Sequence, residues 1–358
     1  MGVLYTDDNP LAVSPELRDA ALAAGQHINA NGGIGGRQVE IVPCNGKNNP
    51  ESNVKCATQF VNDGVVSVVG LDTQWGDNGV SIMERAGVVN QTVPLSHAEF
   101  ASAVSFPLAG STLTGGNAVA EYAARKSVKR ASCIYPDTAV LKAACVDNFA
   151  PKAKELGIED VQLIALPPTV TDVSQYVAKA AQSKAELVYS PASKQADVRM
   201  IQAAGQVGFS PEWVFSGSVA QPDFFSTLGD DAKNVVFWFD NKMWTVTGEP
   251  DVDVFNSVLE QHAPGSPINN NVVTVFSTLM TLKELGDTAG GDKMTRAELP
   301  DLLRGFGQVH QFMGPELDTS RHLPDFPTAY HTGSYLYKWD GGAFVPAGDG
   351  FFQFDTAS

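Results

Sequence analysis

A glycine cluster that closes a helix, and does not open one, sets the frame for this chain. From Ser14 to Ala57 the sequence reads as helix, tight turn, strand, loop and second helix. Ser14 is placed to cap the first helix, with Pro15 at its first position and Glu16 favourable to the helix dipole. Leu17, Ala20, Ala21, Ala24 and Ile28 recur at helical spacing, which predicts one face lying on a sheet. Asn29-Ala30-Asn31-Gly32-Gly33 then stops the helix, because Asn and Gly accept the left-handed backbone needed there. An alternating segment over 38–42 follows as a strand. A dinucleotide loop needs its glycines after a strand and ahead of a helix. Here they follow a helix, and chain order excludes that reading.

The rest of the chain repeats the unit. Val65-Val66-Ser67-Val68-Val69-Gly70 is a nearly unbroken β-branched run, suited to a strand of a parallel sheet buried on both faces. Further strands are expected over 2–6 and 88–96, then over 130–135, 161–166, 186–190, 212–216 and 235–239. Thr114-Gly115-Gly116-Asn117 is read as opening a helix over 118–126, and helices over 139–156, 173–183 and 195–207 follow. From 251 the pattern turns helical (253–262, 271–285, 296–304), and alternating aromatics around Asp340-Gly341 mark a terminal hairpin over 334–345. Two blocks of strand–helix alternation point to an α/β chain of two doubly wound parallel-sheet lobes, not a barrel.

Forty acids against 24 bases give a net charge of −16, which disfavours nucleic acid and anionic membranes as partners. No stretch reaches the ~20 apolar residues of a membrane span. The four cysteines fall in two close pairs, Cys44 with Cys56 and Cys133 with Cys145, each joining a strand end to the following helix. Cross-links there would close short loops; the alternative is four buried thiols, and no C-x-x-C spacing supports a metal. Bridged pairs imply an oxidising, extracytoplasmic compartment. The chain opens almost directly on its first strand, which reads as a mature form with its export segment removed.

The run His27-Ile28-Asn29-Ala30-Asn31-Gly32-Gly33-Ile34-Gly35-Gly36 closely resembles the INAxGGIxG segment of type I periplasmic solute-binding proteins. That group includes the branched-chain amino-acid binding proteins of ABC importers. The similarity extends to the run at 65–70, the Gly314-Pro315 turn with Glu316-Leu317-Asp318, and the Trp339-Asp340-Gly341 hairpin. The resemblance implies lobe 1 over 1–110 plus 246–325 and lobe 2 over 111–245 plus 326–358. These would be joined by a multi-crossing hinge, with a ligand cleft between them. It further implies a non-catalytic monomer without cofactor that captures a small organic ligand by lobe closure and delivers it to an ABC permease. Its location would be periplasmic or extracellular, free or anchored as a lipoprotein.

By the family pattern, ligand contacts in lobe 1 fall on the loops after two successive strands: Gln74, Trp75 and Gly76, then Ser96, His97, Ala98, Glu99 and Phe100. In lobe 2 they fall on Tyr135, Ser190, Ser218 and Phe239, with Trp238 beside them. Glu99 has two readings, a contact to an amine or sugar hydroxyl, or a helix cap. The sequence departs from the pattern in three places. The loop 72–76 carries no serine. Asp137-Thr138-Ala139-Val140-Leu141 stands where members show Asp-x-x-Tyr-Gly, and no carboxylate stands near Gly217-Ser218 to pair a ligand ammonium. An unpaired buried charge costs several kcal/mol, which argues against a standard branched-chain amino acid. An amino-acid-like, amide or aromatic carboxylate ligand fits the aromatic and amide-rich set better.

Catalytic signatures are missing: there is no G-x-S-x-G, no H-E-x-x-H and no P-loop. The six histidines are scattered without metal-ligand spacing. Asn90-Gln91-Thr92 matches a glycosylation sequon but lies in an expected buried strand. The other function classes are a ligand-sensing receptor subunit built on the same fold, and an α/β enzyme.

Overall fold

A computed structural model describes residues 1–7, 14–70, 76–323 and 325–353, with 111–113 and 234 described by their backbone alone. It divides into two compact units: Met1–Gly110 with Val246–Thr332, and Ser111–Thr245 with 333–353.

Unit 1 begins β1 (Gly2–Tyr5), α1 (Glu16–Ala30), β2 (Val42–Asn45), α2 (Pro50–Asn62), β3 (Ser67–Gly70), α3 (Gly76–Arg85), β4 (Val89–Asn90) and α4 (His97–Ala101). Its sheet is parallel throughout, in the order β2-β1-β3-β4. The apolar stripe of α1 is buried as its spacing predicts. Ser14, however, does not cap α1. Its hydroxyl accepts a hydrogen bond from the Thr6 amide at 3.2 Å and so ties the helix start to the end of β1. The glycine turn after α1 docks on a later helix, where the Lys283 ammonium donates to the carbonyls of Asn31 (3.1 Å) and Gly33 (2.8 Å). Gly35 has φ of 55°, and a Cβ there would lie 2.4 Å from the backbone nitrogen of Gly291, so this position admits only glycine.

The strand expected over 38–42 is found at 42–45, because the Asn29 side chain takes the place of a neighbouring strand. Its amide donates to the Val39 carbonyl at 2.8 Å and its oxygen accepts from the Val39 N–H at 2.7 Å. Likewise the strand expected over 88–96 keeps only Val89–Asn90 as ladder. Val93 still donates to the Gly70 carbonyl at 3.0 Å, and the expected loop over 97–100 is helix α4.

Unit 2 follows with α5 (Ser111–Arg125), then β5 (Arg130–Pro136), β6 (Asp160–Leu166), β7 (Leu187–Ser190), β8 (Glu212–Ser216) and β9 (Val235–Phe239). Helix α5 starts well before the expected 118, with Gly115 and Gly116 inside it. A Cβ on Gly115 would stand 2.5 Å from the Trp238 ring, so the glycine permits close approach of helix and sheet. The helix expected over 139–156 has a π-helical centre, Ala144–Phe149, that carries Cys145. The chain returns to unit 1 for the helices Pro250–His262, Asn270–Ala289 and Leu299–Gly305 and the hairpin β10 (Gln308–His310) and β11 (Glu316–Asp318). It ends in unit 2 with β12 (Gly333–Trp339), antiparallel to β9, and β13 (Phe344–Gln353), antiparallel to β12. The unit 2 sheet runs β13-β12-β9-β8-β7-β5-β6.

The stretch 326–332, expected in lobe 2, belongs to unit 1. Phe326 packs its ring on Phe100 at 4.9 Å, and His331 is hydrogen-bonded to Gln311 at 3.0 Å. Both cysteine pairs are bridged, Cys44 to Cys56 in unit 1 and Cys133 to Cys145 in unit 2, with Cα separations of 5.6 and 5.9 Å. Asn90 of the sequon is buried, as its strand position requires. No described helix is long and apolar enough to cross a membrane.

Candidate functional site

In open α/β sheets, ligands bind beyond the carboxyl ends of the strands. In unit 1 that edge is carried by the turn from β4 into α4. Ser96 caps α4 by accepting the Glu99 N–H at 3.2 Å, and Glu99 Oε2 accepts the N–H groups of Ser96 (2.8 Å) and Leu95 (3.0 Å). This reciprocal capping box satisfies amides that the short helix would otherwise leave open. Glu99 therefore serves as the helix cap, the second of its two readings. The Ser96 hydroxyl also donates to the Asp77 carboxylate and so links α4 to α3.

Gly76, the first residue of α3, lies directly against the buried Glu99 carboxyl. A Cβ there would stand 2.1 Å from Oε1, so any larger residue would displace the cap. Phe100 is wholly buried under Phe326. The His97 ring meets the same Phe326 edge-on at 5.1 Å, and with Ala98 it faces solvent. Gln74 and Trp75 lie outside the described residues.

In unit 2 the same edge collects the ends of β5, β7, β8 and β9, which are neighbours in the order β9-β8-β7-β5. Tyr135 is buried in β5. Ser190 is fully buried; its hydroxyl donates to Asp197 Oδ1 at 2.8 Å and accepts the Ala192 N–H at 3.2 Å. That locks the turn from β7 into the helix Lys194–Gln206. Burial pushes the Asp197 carboxyl well above the usual carboxylate range, with the Ser190 bond opposing.

Ser218 is half-buried in the single 3₁₀ turn Gly217–Val219. Its N–H reaches Ser216 Oγ at 3.3 Å, and the two hydroxyls are 2.9 Å apart. Phe239 backs this turn from inside: a Cβ on Gly217 would lie 2.3 Å from its ring. The ring packs among Phe237, Trp244, Tyr337 and Phe344 and is about 1% exposed.

The expectation of an open aromatic mouth is thus corrected for the described residues. Phe100, Tyr135, Trp238 and Phe239 are all buried, each covered by neighbouring rings, helix or sheet. What remains accessible is His97 with Ala98 in unit 1 and, half-buried, Ser216 and Ser218 in unit 2. Sequence reasoning missed two residues here. The Lys194 ammonium donates to Gln221 Oε1 at 2.7 Å and to Asp223 Oδ2 at 2.6 Å, and Gln221 in turn donates to the Ser218 carbonyl at 3.2 Å. A cation therefore stands one residue behind the serine turn, where it holds the Asp223 carboxyl below its ordinary range. Asp197 is the other. Both open the helix that follows β7, and that position in a βα unit was the available signal.

A family model for periplasmic binding proteins matches residues 1–343 of the chain. Among curated proteins, the Leu/Ile/Val-binding protein homolog 3 of Brucella melitensis is 24% identical over 251 residues, 65% of this chain and 68% of that protein. A fatty acid ABC transporter substrate-binding protein from Thermomonospora curvata superposes with a TM-score of 0.81 at 16% identity, covering 99% of this chain and 92% of the other. An ABC transporter solute-binding protein of R. palustris, solved in complex with benzoate, superposes with a TM-score of 0.75 at 15% identity, covering 99% and 98%. At these identities the structural likeness establishes the fold, that of type I periplasmic binding proteins.

Proposed function

The chain belongs to the periplasmic binding protein family, and on that premise we propose that it captures a small organic carboxylate outside the cytoplasm and delivers it to an ABC permease. The family match over residues 1–343 carries the reading. Capture proceeds by hinge closure, a transition for which periplasmic binding proteins are the handiest precedent, with ligand contacts to both lobes favouring the closed state. The chain binds and releases its ligand without altering it.

Three features support a carboxylate. The relatives are named for, or solved with, ligands that share only that group: leucine, isoleucine and valine, a fatty acid, and benzoate. The serine turn at 216–218 supplies hydroxyls with the Lys194 ammonium behind them. Beside the serine turn, Asp223 is paired with Lys194 and Asp197 is buried against Ser190, so neither of these two carboxyls is placed to pair an α-ammonium. An aromatic or amide-bearing acid without an α-amino group fits best.

A thermal-shift screen of carboxylates against their matched primary amides tests this. A true ligand at 100 times its dissociation constant adds about 2.7 kcal/mol of stability. The best acid should lose at least tenfold in affinity in Lys194→Gln, and its amide should not bind. A panel in which no acid raises the melting temperature, or in which acid and amide bind alike, overturns the carboxylate reading.

A further inference from the structure

At the opposite edge of the unit 2 sheet lies a cavity of about 390 Å³. It is placed there by Glu212, the first residue of β8, and by Lys338, which stands opposite Val236 near the start of β9. Its volume falls within the ordinary range of small-molecule sites.

The wall is built by an irregularity in the last hairpin. Tyr337 pairs with Pro346 and Tyr335 with Phe351, so residues 347–350 stand opposite Leu336 alone. Gly348 (φ 61°) and Gly350 (φ 79°) let this surplus chain fold out over the end of α5, carrying Asp349 to Arg125. A bulge of this kind re-aims the chain and leaves room beneath it.

Three cations and two acids line the space, in a chain whose net charge is −16. Glu212 is fully engaged: Tyr122 donates to Oε1 at 3.0 Å, and Lys126 donates to Oε1 and Oε2 at 2.7 and 2.8 Å. Burial, with the Glu212 charge and hydrogen bond added, raises the Tyr122 phenol, so it stays a neutral donor. Arg125 lies 4.7 Å from the centre of the Phe352 ring and meets Asp349, which is 74% exposed and easily exchanged for another anion. Lys338 is half-buried in the same wall and has no ion-pair or hydrogen-bond partner among the described residues. The remaining lining is apolar: Val345, Pro346, Ala347 and the faces of Tyr122 and Phe352.

An ammonium with nothing to neutralise it, beside a guanidinium held only by a solvated acid, is a place for one negative charge. The apolar walls call for an organic body on that charge. We infer that this cavity is a second, accessory site for a small organic monocarboxylate. The carboxylate pairs with Lys338 and Arg125 in place of Asp349, and the apolar body lies against Phe352 and Tyr122. The inference is independent of the ligand read for the carboxyl edge of the sheets.

The test reads Lys338 itself, so binding elsewhere does not confuse it. Lysines are labelled by reductive ¹³C-dimethylation, which keeps their charge. The Lys338 resonance is assigned by its loss in Lys338→Arg and followed during titration with sodium benzoate, with benzamide and sodium chloride as controls. A saturable shift with benzoate, none with benzamide, and a dissociation constant raised at least fivefold in Arg125→Gln are expected. A benzoate shift no larger than that of equimolar chloride overturns the site. An equal response to benzamide overturns its anion selectivity. An unchanged constant in an Arg125→Gln protein with a wild-type melting temperature overturns the role of the guanidinium. The benzamide and chloride arms stand even if that variant folds poorly.

Discussion

The two units carry sheets, parallel throughout in unit 1 and with an antiparallel edge in unit 2, that are held in different ways. In unit 2 the sheet is seven strands wide, and one face is a continuous set of rings. Phe237 alone lies within 6.5 Å of the rings of Phe215, Phe224, Phe225, Phe239 and Phe344. In unit 1 the four strands are short, and polar side chains close the backbone where the ladder stops. Asn29 stands in for a strand beside Val39, and Glu99 ties down the start of α4. Arg296 accounts for three carbonyls at the end of α2 and the approach to β3, donating to Phe60, Val61 and Val65 at 3.0, 2.8 and 2.7 Å. Apolar packing tolerates small shifts but loses much when a volume is removed. A hydrogen-bonded splice contributes less and fails locally.

The largest effect that separates these regimes is expected from Phe237→Ala. Emptying the centre of the ring cluster should cost about 3–5 kcal/mol, the usual range for a buried phenylalanine. Four of the five tryptophans, Trp213, Trp238, Trp244 and Trp339, belong to unit 2, so tryptophan fluorescence should follow the loss in a urea titration. A midpoint within error of wild type would mean that the ring face is not what holds this sheet.

Asn29→Ala gives the matching cut in unit 1. It leaves the half-buried Val39 N–H and carbonyl without their partner, at a cost of about 1–3 kcal/mol. Asn29→Asp, which keeps the acceptor for the N–H but loses the donor, should fall between. Hydrogen exchange at the Val39 amide is the readout: protection should drop sharply in Asn29→Ala while the amides of β8 and β9 keep theirs. Loss of protection in both units together would contradict the local character assigned to the splice.

The same contrast explains what was legible beforehand. The strands expected over 212–216 and 235–239 lie at Glu212–Ser216 and Val235–Phe239, because burial on both faces writes itself into consecutive apolar residues. The strand expected over 38–42 is displaced because its partner is a side chain on the preceding helix, and alternation carries no record of that. At the carboxyl edges, the helix-cap role of Glu99 was legible as one of its two readings, but its pairing with Ser96 was not drawn from their spacing of three. The burial of Phe100 and Phe239 was not legible, since an aromatic after a strand reads the same whether it faces solvent or another ring. For Asp197 and Lys194 only their position after β7 was legible; their partners, Ser190 and Gln221, are brought to them by the fold.

The smallest effect tests polar splicing by pH. His310 on β10 bridges two carboxylates, with Nε2 2.7 Å from Asp251 and Nδ1 3.0 Å from Glu316, and Asp251 also accepts the Met313 N–H at 2.9 Å. Partial burial pulls the imidazole pKa down, but the hydrogen bonds and charges of Asp251 and Glu316 outweigh it and leave it above its ordinary value of 6.5. A group whose pKa is higher folded than unfolded binds protons more tightly when folded. Its contribution is therefore complete below the unfolded value and is lost as pH rises through the folded one. Glu284 lies in the same acidic surroundings; burial raises its carboxyl, and it too favours the fold at lower pH. The comparison must therefore be between wild type and His310→Gln, which share Glu284. The variant should be less stable than wild type at pH 5.5 and approach it by pH 8.5. With 41% of the imidazole exposed, the gap should be a few tenths of a kcal/mol, the scale of a screened surface pair. Melting temperatures measured in matched ionic strength give the sign directly. A gap that widens towards pH 8.5 would show that His310 acts as a neutral hydrogen-bonding group and that this splice in unit 1 is not electrostatic.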